Sequence, residues 1–183
     1  MRNGLLFLLI LNLWNCNGPE PRRPVRTKSG SFFKESIERS KRLLEAEEKK
    51  IQEIVRLDSL KDYTHSSTGS WYHYHTVNET ATYTPKTGDL VIMDYNILTL
   101  DNDTIYSKET IGIVNYKVDR QELFQGLREA VKLLKEGEKA TFLFPSSMAY
   151  GYHGDNNKIG GNVPLKSTIS ILKIEKQEPN TEN

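Results

Sequence analysis

The order of apolar and polar residues divides the chain into segments of different character. An almost unbroken apolar run, GLLFLLILNLW, occupies residues 4–14. Residues 16–30 are rich in Pro, Gly, Arg and Ser and contain too few apolar positions to form a core. Residues 31–57 contain neither Pro nor Gly and are dominated by Glu, Lys, Arg, Leu and Ile. We therefore predict a leader over 1–15, a tether over 16–30 and then a helix.

The predicted helix, assigned to 31–60 with its end near Leu57, carries an amphipathic stripe. Seven positions alternately four and three apart share one face: Phe33, Ile37, Ser40, Leu44, Glu47, Ile51 and Ile54. Two of the seven are polar, so the stripe is a weak coiled-coil seam. It is compatible with a helix packed on its own domain and with a spacer or dimerisation helix. Residues 61–69 are predicted to be a polar linker, so we expect the following domain to fold without the helix.

The second half of the chain has the period of two that is typical of strands. Strands are predicted at 71–77, 90–98, 105–106, 139–144 and 169–174. Asp119 is predicted to cap a helix running to Gly137, because Leu123, Leu127 and Val131 recur at helical spacing. These elements predict an α+β domain over 70–176, followed by a disordered tail at 177–183.

Composition excludes several classes of function. The net charge is +1, from 25 basic and 24 acidic side chains, so no overall field attracts nucleic acid, and no nucleic-acid partner is expected. One cysteine allows neither an internal disulfide nor a Cys-rich zinc site. The chain has no phosphate loop, no Gly-x-Ser-x-Gly and no His-Glu-x-x-His motif. His73 and His75 share one strand face, but no third ligand is near them in sequence, which favours packing roles. We expect no metal and no cofactor.

The only cysteine, Cys16, follows directly after the apolar run. Eleven apolar residues are too few to span a bilayer, which requires about 20. With Leu13 three positions earlier, the sequence resembles a bacterial lipobox, although Asn15 stands where such boxes have a small residue. An ordinary signal peptide with an incidental cysteine is the alternative interpretation. The placement of the cysteine favours lipidation, and we expect a lipid-anchored chain in the bacterial cell envelope, facing the periplasm.

A glycine-flanked loop tyrosine, Tyr150 in FLFPSSMAYGYHG (142–154), indicates a pocket wall. The segments QGLREAVKLLKEGEKATFLFPSSMAYG (125–151) and NVPLKSTISI (162–171) resemble the FKBP family of peptidyl-prolyl isomerases, over about 70–176. With its RRPV and MAYGYHGDNNKIG stretches and its lipobox-like cysteine, the whole chain is more narrowly similar to gliding-motility-associated FKBP-type lipoproteins of bacteria. The resemblance implies an antiparallel sheet wrapped around one short helix, preceded by a long N-terminal helix.

The resemblance also implies the residues of a substrate pocket. They are Tyr95, Tyr106, Ser107, Val114, Tyr116, Leu123, Phe124, Leu127, Tyr150, Ile159 and Ile171. Backbone N–H groups at Leu123 and Phe124 would hold the substrate carbonyl. The chain departs from the family pattern at four of these positions: Ser107 replaces a carboxylate, Leu127 the floor tryptophan, and Val114 and Ile171 aromatic residues.

Two functions follow from this resemblance. One is an exported isomerase that assists the folding of proline-containing envelope proteins, including motility machinery. The other is a non-catalytic chaperone or scaffold built on the same fold. The expected partners are proline-containing polypeptides, the membrane through the lipid anchor, and a second copy of the chain through the N-terminal helix.

Overall fold

The structure is a computed structural model that describes residues 29–177, with side chains described from residue 32. The leader, Cys16, most of the tether and residues 178–183 lie outside the described residues. The elements are α1 (Ser29–Leu57), β1 (Thr64–His65), β2 (Trp71–Thr76), β3 (Leu90–Tyr95), β4 (Ile97–Thr99), β5 (Thr104–Tyr106), α2 (Lys108–Ile111), β6 (Val114–Lys117), α3 (Gln125–Val131), β7 (Lys139–Phe144), a 3-10 turn (Ser146–Met148) and β8 (Leu165–Glu175).

An antiparallel sheet with the order β1-β2-β7-β8-β3-β6 forms the framework, and β4 joins it by pairing with both β5 and β8. One face of the sheet holds the main core, in which Leu127 and Val131 of α3 belong to the same cluster as Phe142, Phe144 and Ile169. The short helix therefore lies on the sheet, which confirms the predicted α+β architecture. Strand alternation explains the core, because every second residue of β8 is buried from Leu165 to Ile171.

The helix on the sheet is shorter than the sequence predicts. It spans Gln125–Val131, with Phe124 as its N-cap residue, so the predicted cap at Asp119 is wrong. Asp119 instead adopts a positive φ of 56°. Its carboxylate accepts a hydrogen bond from the Thr87 hydroxyl at 2.6 Å and pairs with Lys132 at 2.9 Å. Asp119 thus links the segment at Thr87 to Lys132 at the end of α3, and helical periodicity gives no sign of this role.

α3 approaches the sheet closely because Gly126 has no side chain. A Cβ at this position would lie 2.5 Å from Cδ1 of Phe144 and 2.9 Å from the carbonyl oxygen of Met148. Such distances are well inside van der Waals contact, so any larger residue would force the helix away from the strand. The close approach brings the start of α3 next to the segment that follows β7.

The second part of α1 packs on the sheet domain, and the segment predicted as a linker contains a short strand. Ile51 is 1% exposed and forms a small core with Leu100 and Leu143. Within residues 61–69, β1 pairs with β2, with Thr64 opposite Tyr72. The segment is polar because a two-residue edge strand has little to bury, and its backbone hydrogen bonds are not visible in a hydrophobic pattern.

The apolar positions earlier on α1 are exposed. Phe33 is 71%, Ile37 54% and Leu44 41% exposed. The predicted stripe thus has two parts, an exposed one that ends at Leu44 and a packed one that begins at Glu47. Among residues 29–177, no helix combines the length and apolar character needed to cross a membrane.

Candidate functional site

Four aromatic side chains from four separate elements meet at one edge of the core. Tyr95 ends β3, Tyr106 ends β5, Phe124 precedes α3, and Tyr150 follows the 3-10 turn. The ring centroids of Phe124 and Tyr150 lie 5.2 Å apart. Tyr95, Tyr106 and Tyr150 all pack against the hydrophobic cluster that contains Phe124. The fold therefore gathers these rings into one aromatic wall.

Ten of the eleven predicted pocket residues belong to the main hydrophobic cluster or pack against it. Five of them are buried and form its inner layer: Tyr116, Phe124, Leu127, Ile159 and Ile171. Five are half-buried at its edge: Tyr95, Tyr106, Val114, Leu123 and Tyr150. Leu127 is 0% and Ile171 1% exposed. The accessible surface of the site therefore comes from the five half-buried residues, and the five buried residues pack behind them.

Ser107, the eleventh residue, stands apart from this cluster and caps α2. Its hydroxyl accepts a hydrogen bond from the backbone N–H of Thr110 at 3.2 Å and lies 3.1 Å from the Thr110 hydroxyl. The next residue, Lys108, forms an ion pair at 2.7 Å with Asp94, which is buried on β3. The hydroxyl of Ser107 thus helps to hold the short helix beside the pocket.

Asp155 is a polar residue of the site that the sequence analysis missed. Its Oδ2 accepts a hydrogen bond from the Tyr106 hydroxyl at 2.5 Å. Its Oδ1 accepts two more, from the backbone N–H groups of Asn157 at 2.9 Å and Ile159 at 2.7 Å. An aspartate followed by two asparagines between glycines signals an Asx turn, which could have identified the backbone bonds. The bond to Tyr106, 49 residues away, has no local signal.

The loop that carries Asp155 is closed at its base and turns tightly. The N–H of Asn162 donates to the carbonyl of Gly151 at 2.7 Å. Gly154 adopts a φ of +72°, and a Cβ there would lie 2.2 Å from the carbonyl oxygen of Ile159. Only glycine fits this conformation and this space. The loop 151–162 is therefore tightly turned and closed at its base, and it carries the buried Ile159 into the cluster.

The phenols of the site are held in the protonated form, and its carboxylate is held ionised. Burial raises the pKa of Tyr150 to about 12 and also raises the pKa of Tyr95. Burial alone would raise the pKa of Asp155, but hydrogen bonds from Tyr106 and from the backbone outweigh it and keep that pKa below its usual value. The hydrogen bond to Asp155 raises the pKa of Tyr106 in turn. The site thus offers apolar surface with phenolic O–H donors, which suits a ring flanked by carbonyls.

Comparison with known proteins gives three consistent results. Residues 81–172 match the family model of FKBP-type peptidyl-prolyl cis-trans isomerases. The chain is 30% identical over 141 residues to "Probable FKBP-type peptidyl-prolyl cis-trans isomerase FkpA" of Neisseria meningitidis serogroup B, which covers 76% of this chain and 50% of that protein. The chain therefore spans about half the length of this relative. A crystal structure of a peptidyl-prolyl cis-trans isomerase from Pseudomonas syringae pv. tomato superposes with a TM-score of 0.60 at 19% identity, over 75% of this chain and 96% of that one. At this identity the superposition supports the fold alone.

Proposed function

Because this chain belongs to the FKBP-type peptidyl-prolyl cis-trans isomerase family, we propose that it catalyses the cis–trans isomerisation of Xaa-Pro bonds in polypeptide clients. The observation that carries this proposal is the aromatic wall of Tyr95, Tyr106, Phe124 and Tyr150. All four residues lie within the segment that matches the family, residues 81–172.

The chemistry of the bond explains why such a wall can catalyse. Rotation about an Xaa-Pro amide crosses a barrier of about 18–20 kcal/mol, and uncatalysed exchange takes on the order of tens to hundreds of seconds. The amide loses conjugation when it twists, so its oxygen carries less charge at the top of the barrier than in the planar ground state. An apolar pocket therefore stabilises the twisted amide relative to the planar one.

Each group of the pocket has a part in this proposal. The proline ring packs on half-buried side chains at the edge of the cluster, among them Val114 and Leu123, with the buried Phe124 beneath them. The Tyr150 hydroxyl, whose pKa burial raises to about 12, donates a hydrogen bond to a flanking carbonyl at every physiological pH. Leu127 and Ile171 support the wall from beneath. Both offer less surface for stacking than an aromatic ring, so we propose that the rate enhancement is weak.

A single hydroxyl tests the catalytic proposal. Tyr150→Phe keeps the ring and removes the donor, so kcat/KM on a proline-containing tetrapeptide should fall by about tenfold at most, the value of one hydrogen bond. Tyr152→Phe is the matched control, because Tyr152 lies two residues away and is 78% exposed. No acceleration above the uncatalysed rate by the wild type would overturn the proposal, as would equal loss in the two variants.

We further propose that the chain works in the bacterial cell envelope as a lipoprotein of the gliding-motility-associated type. Support comes from the sequence around Cys16 and from the RRPV and MAYGYHGDNNKIG stretches. Its clients would be exported proteins with prolines whose isomerisation limits folding. A strain that produces only the Tyr150→Phe variant should then move over surfaces more slowly than a strain that produces Tyr152→Phe. Equal movement of the two strains would show that movement does not depend on the Tyr150 hydroxyl.

A second candidate function is a binding module that holds a partner without catalysis. The exposed apolar side chains of α1, Phe33 at 71% and Ile37 at 54%, favour it, because they lie four residues apart and share one face of the helix, which a partner can cover. A second copy of the chain is the occupant we propose. Light scattering on the wild type and on Phe33→Glu distinguishes the cases: a dimer that the variant abolishes supports this role, and a monomeric wild type contradicts it.

A further inference from the structure

The carboxylate of Asp155 joins two walls of the aromatic pocket that no strand pairing connects. One wall is Tyr106 at the end of β5, and the other is the loop 151–162, which follows Tyr150 and carries Ile159. We infer that Asp155 is a positioning residue of the pocket, which fixes Tyr106 and this loop at the spacing that a proline-containing peptide requires. The inference rests on the proposed function, because Asp155 would position the pocket that binds the proline-containing peptide.

The hydrogen bonds of Asp155 use both of its oxygens. Oδ2 faces the Tyr106 hydroxyl, while Oδ1 faces the N–H groups of Asn157 and Ile159. A carboxylate accepts at both ends, whereas an amide accepts at one end and donates at the other. An asparagine could keep the Asx turn with its oxygen and would then present an N–H₂ group to Tyr106. Only the ionised aspartate gives Tyr106 a charge-assisted acceptor while it closes the turn.

A second contact supports the same spacing. Nζ of Lys158 lies 5.1 Å from the centroid of the Tyr106 ring and 3.5 Å from the carbonyl oxygen of Ile105. The loop thus contacts β5 through two residues, Asp155 and Lys158. Lys158 is exposed, whereas its neighbour Ile159 is 3% exposed and fixed in the cluster. The peptide bond between them is protected only as long as the loop stays in place, so its cleavage by trypsin reports on the loop directly.

The experiment compares wild type, Asp155→Asn, Tyr106→Phe and the double variant. Each single variant should weaken the binding of a proline-containing tetrapeptide about three- to tenfold and leave kcat within about twofold, since a lost hydrogen bond loosens the wall without removing a substrate contact. The double variant should bind no more weakly than the weaker single variant, because both changes break the same bond. Matched controls are Asp62→Asn and Tyr152→Phe, at exposed positions. Each single variant should also be cleaved at Lys158 faster than wild type, at a temperature far below the melting temperature of every variant.

The outcomes separate this inference from the proposed function. A wild type that binds the peptide without accelerating its isomerisation would overturn catalysis, and the binding comparison would still decide the role of Asp155. Unchanged peptide affinity in both single variants, or losses that multiply in the double variant, would overturn the positioning role. Unchanged cleavage at Lys158 in both single variants would overturn the claim that Asp155 holds the loop in place. A wild type without peptide binding would overturn both proposals.

Discussion

The carboxylate of Glu47 on α1 accepts two hydrogen bonds from Ser146, 99 residues later in the chain. Oε2 accepts from the backbone N–H at 2.7 Å, and Oε1 accepts from the hydroxyl at 2.7 Å. Both residues are buried, at 6% and 5% exposure. The carbonyl of Ser146 accepts in turn from the N–H groups of Ala149 and Gly151, on either side of Tyr150. A continuous path of hydrogen bonds therefore links the N-terminal helix to the pocket.

The first prediction concerns this link. Glu47→Ala leaves the N–H and hydroxyl of Ser146 buried without their acceptor, so the free energy of unfolding should fall by about 1–3 kcal/mol or more. Glu47→Gln keeps one acceptor and should lose less. Glu48→Ala, at the adjacent exposed position, is the control and should stay near the wild-type value. Urea unfolding measures all four proteins. A Glu47→Ala protein as stable as Glu48→Ala would show that the buried bonds contribute nothing net.

The second prediction concerns the packed part of α1 and its contribution to the stability of the domain. Ile51 is 1% exposed against Leu100 and Leu143, so Ile51→Ala should reduce the free energy of unfolding by roughly 2–5 kcal/mol. Leu60→Ala is a comparable truncation at a 98% exposed position and should alter stability by less than about 0.5 kcal/mol. A chain that begins at Ser66 should accordingly melt at a lower temperature than the full chain. A cooperative transition would still agree with the expectation that the domain folds without the helix, and equal melting temperatures would show that α1 adds nothing to its stability.

The sequence predicted well what depends on local periodicity and poorly what depends on distant pairs. Most of the strands and the amphipathic stripe of α1 follow from alternation, whereas β1 and β6 were not predicted. Glu47 interrupts that stripe, and only the fold shows that its partner is Ser146. The roles of Asp119 and Asp155 were not predicted, for the same reason. Each is a short polar side chain whose function is a hydrogen bond to a residue more than ten positions away, and binary patterning does not encode such partners.

The third prediction concerns the pair His73 and His75 on β2. His73 is 4% exposed, with its ring centroid 4.8 Å from Tyr63 and 4.6 Å from His75. Burial lowers the pKa of both histidines. The charged side chains near His73 are Lys61, Lys166 and Asp58, of which only Asp58 favours a proton on the ring. A proton on His73 is therefore less favourable in the folded than in the unfolded chain.

The sign of the pH effect follows from linkage. The unfolded chain, with a histidine pKa of about 6.5, binds more protons than the folded chain just below that pH. Stability from this source is present above about pH 6.5 and is lost as the pH falls toward the lower folded pKa. Urea unfolding between about pH 7 and 5 should show this loss in wild type and less of it in His73→Gln. His153→Gln, on an exposed loop, is the control and should follow wild type. Parallel curves for all three would refute the prediction.

The fourth prediction concerns the anchor. Cys16 is the only cysteine of the chain, so no other thiol can take a thioether-linked lipid. A labelled fatty acid should be incorporated into wild type in the producing bacterium and should be absent from Cys16→Ser. The variant should also leave the membrane fraction on a salt wash. Equal labelling of the two proteins would rule out lipidation at this residue, and equal release from membranes would rule out anchoring through it.

The last prediction concerns the layer beneath the aromatic wall. Leu127 is 0% exposed, at the start of α3, in the same cluster as Phe124 and Ile171. Leu127→Ala opens a cavity and should reduce the free energy of unfolding by roughly 2–5 kcal/mol. Because the cavity lies under the proposed proline site, kcat/KM should also fall, even when it is measured far below the melting temperature of the variant. Leu134→Ala provides the comparison, since Leu134 is equally buried in the cluster and is not a pocket residue.

Replacing Leu127 by tryptophan tests the same layer in the opposite direction. An indole fills more volume than this fully enclosed site holds, so Leu127→Trp should strain the core by about 1–3 kcal/mol. If the wild-type pocket is limited by its stacking area, the ring should be displaced toward the half-buried tyrosines and should raise kcat/KM. Loss of stability with no gain in activity would show that the indole is not accommodated beneath the wall. Equal activity per folded molecule in Leu127→Ala and Leu134→Ala would place Leu127 in the general core.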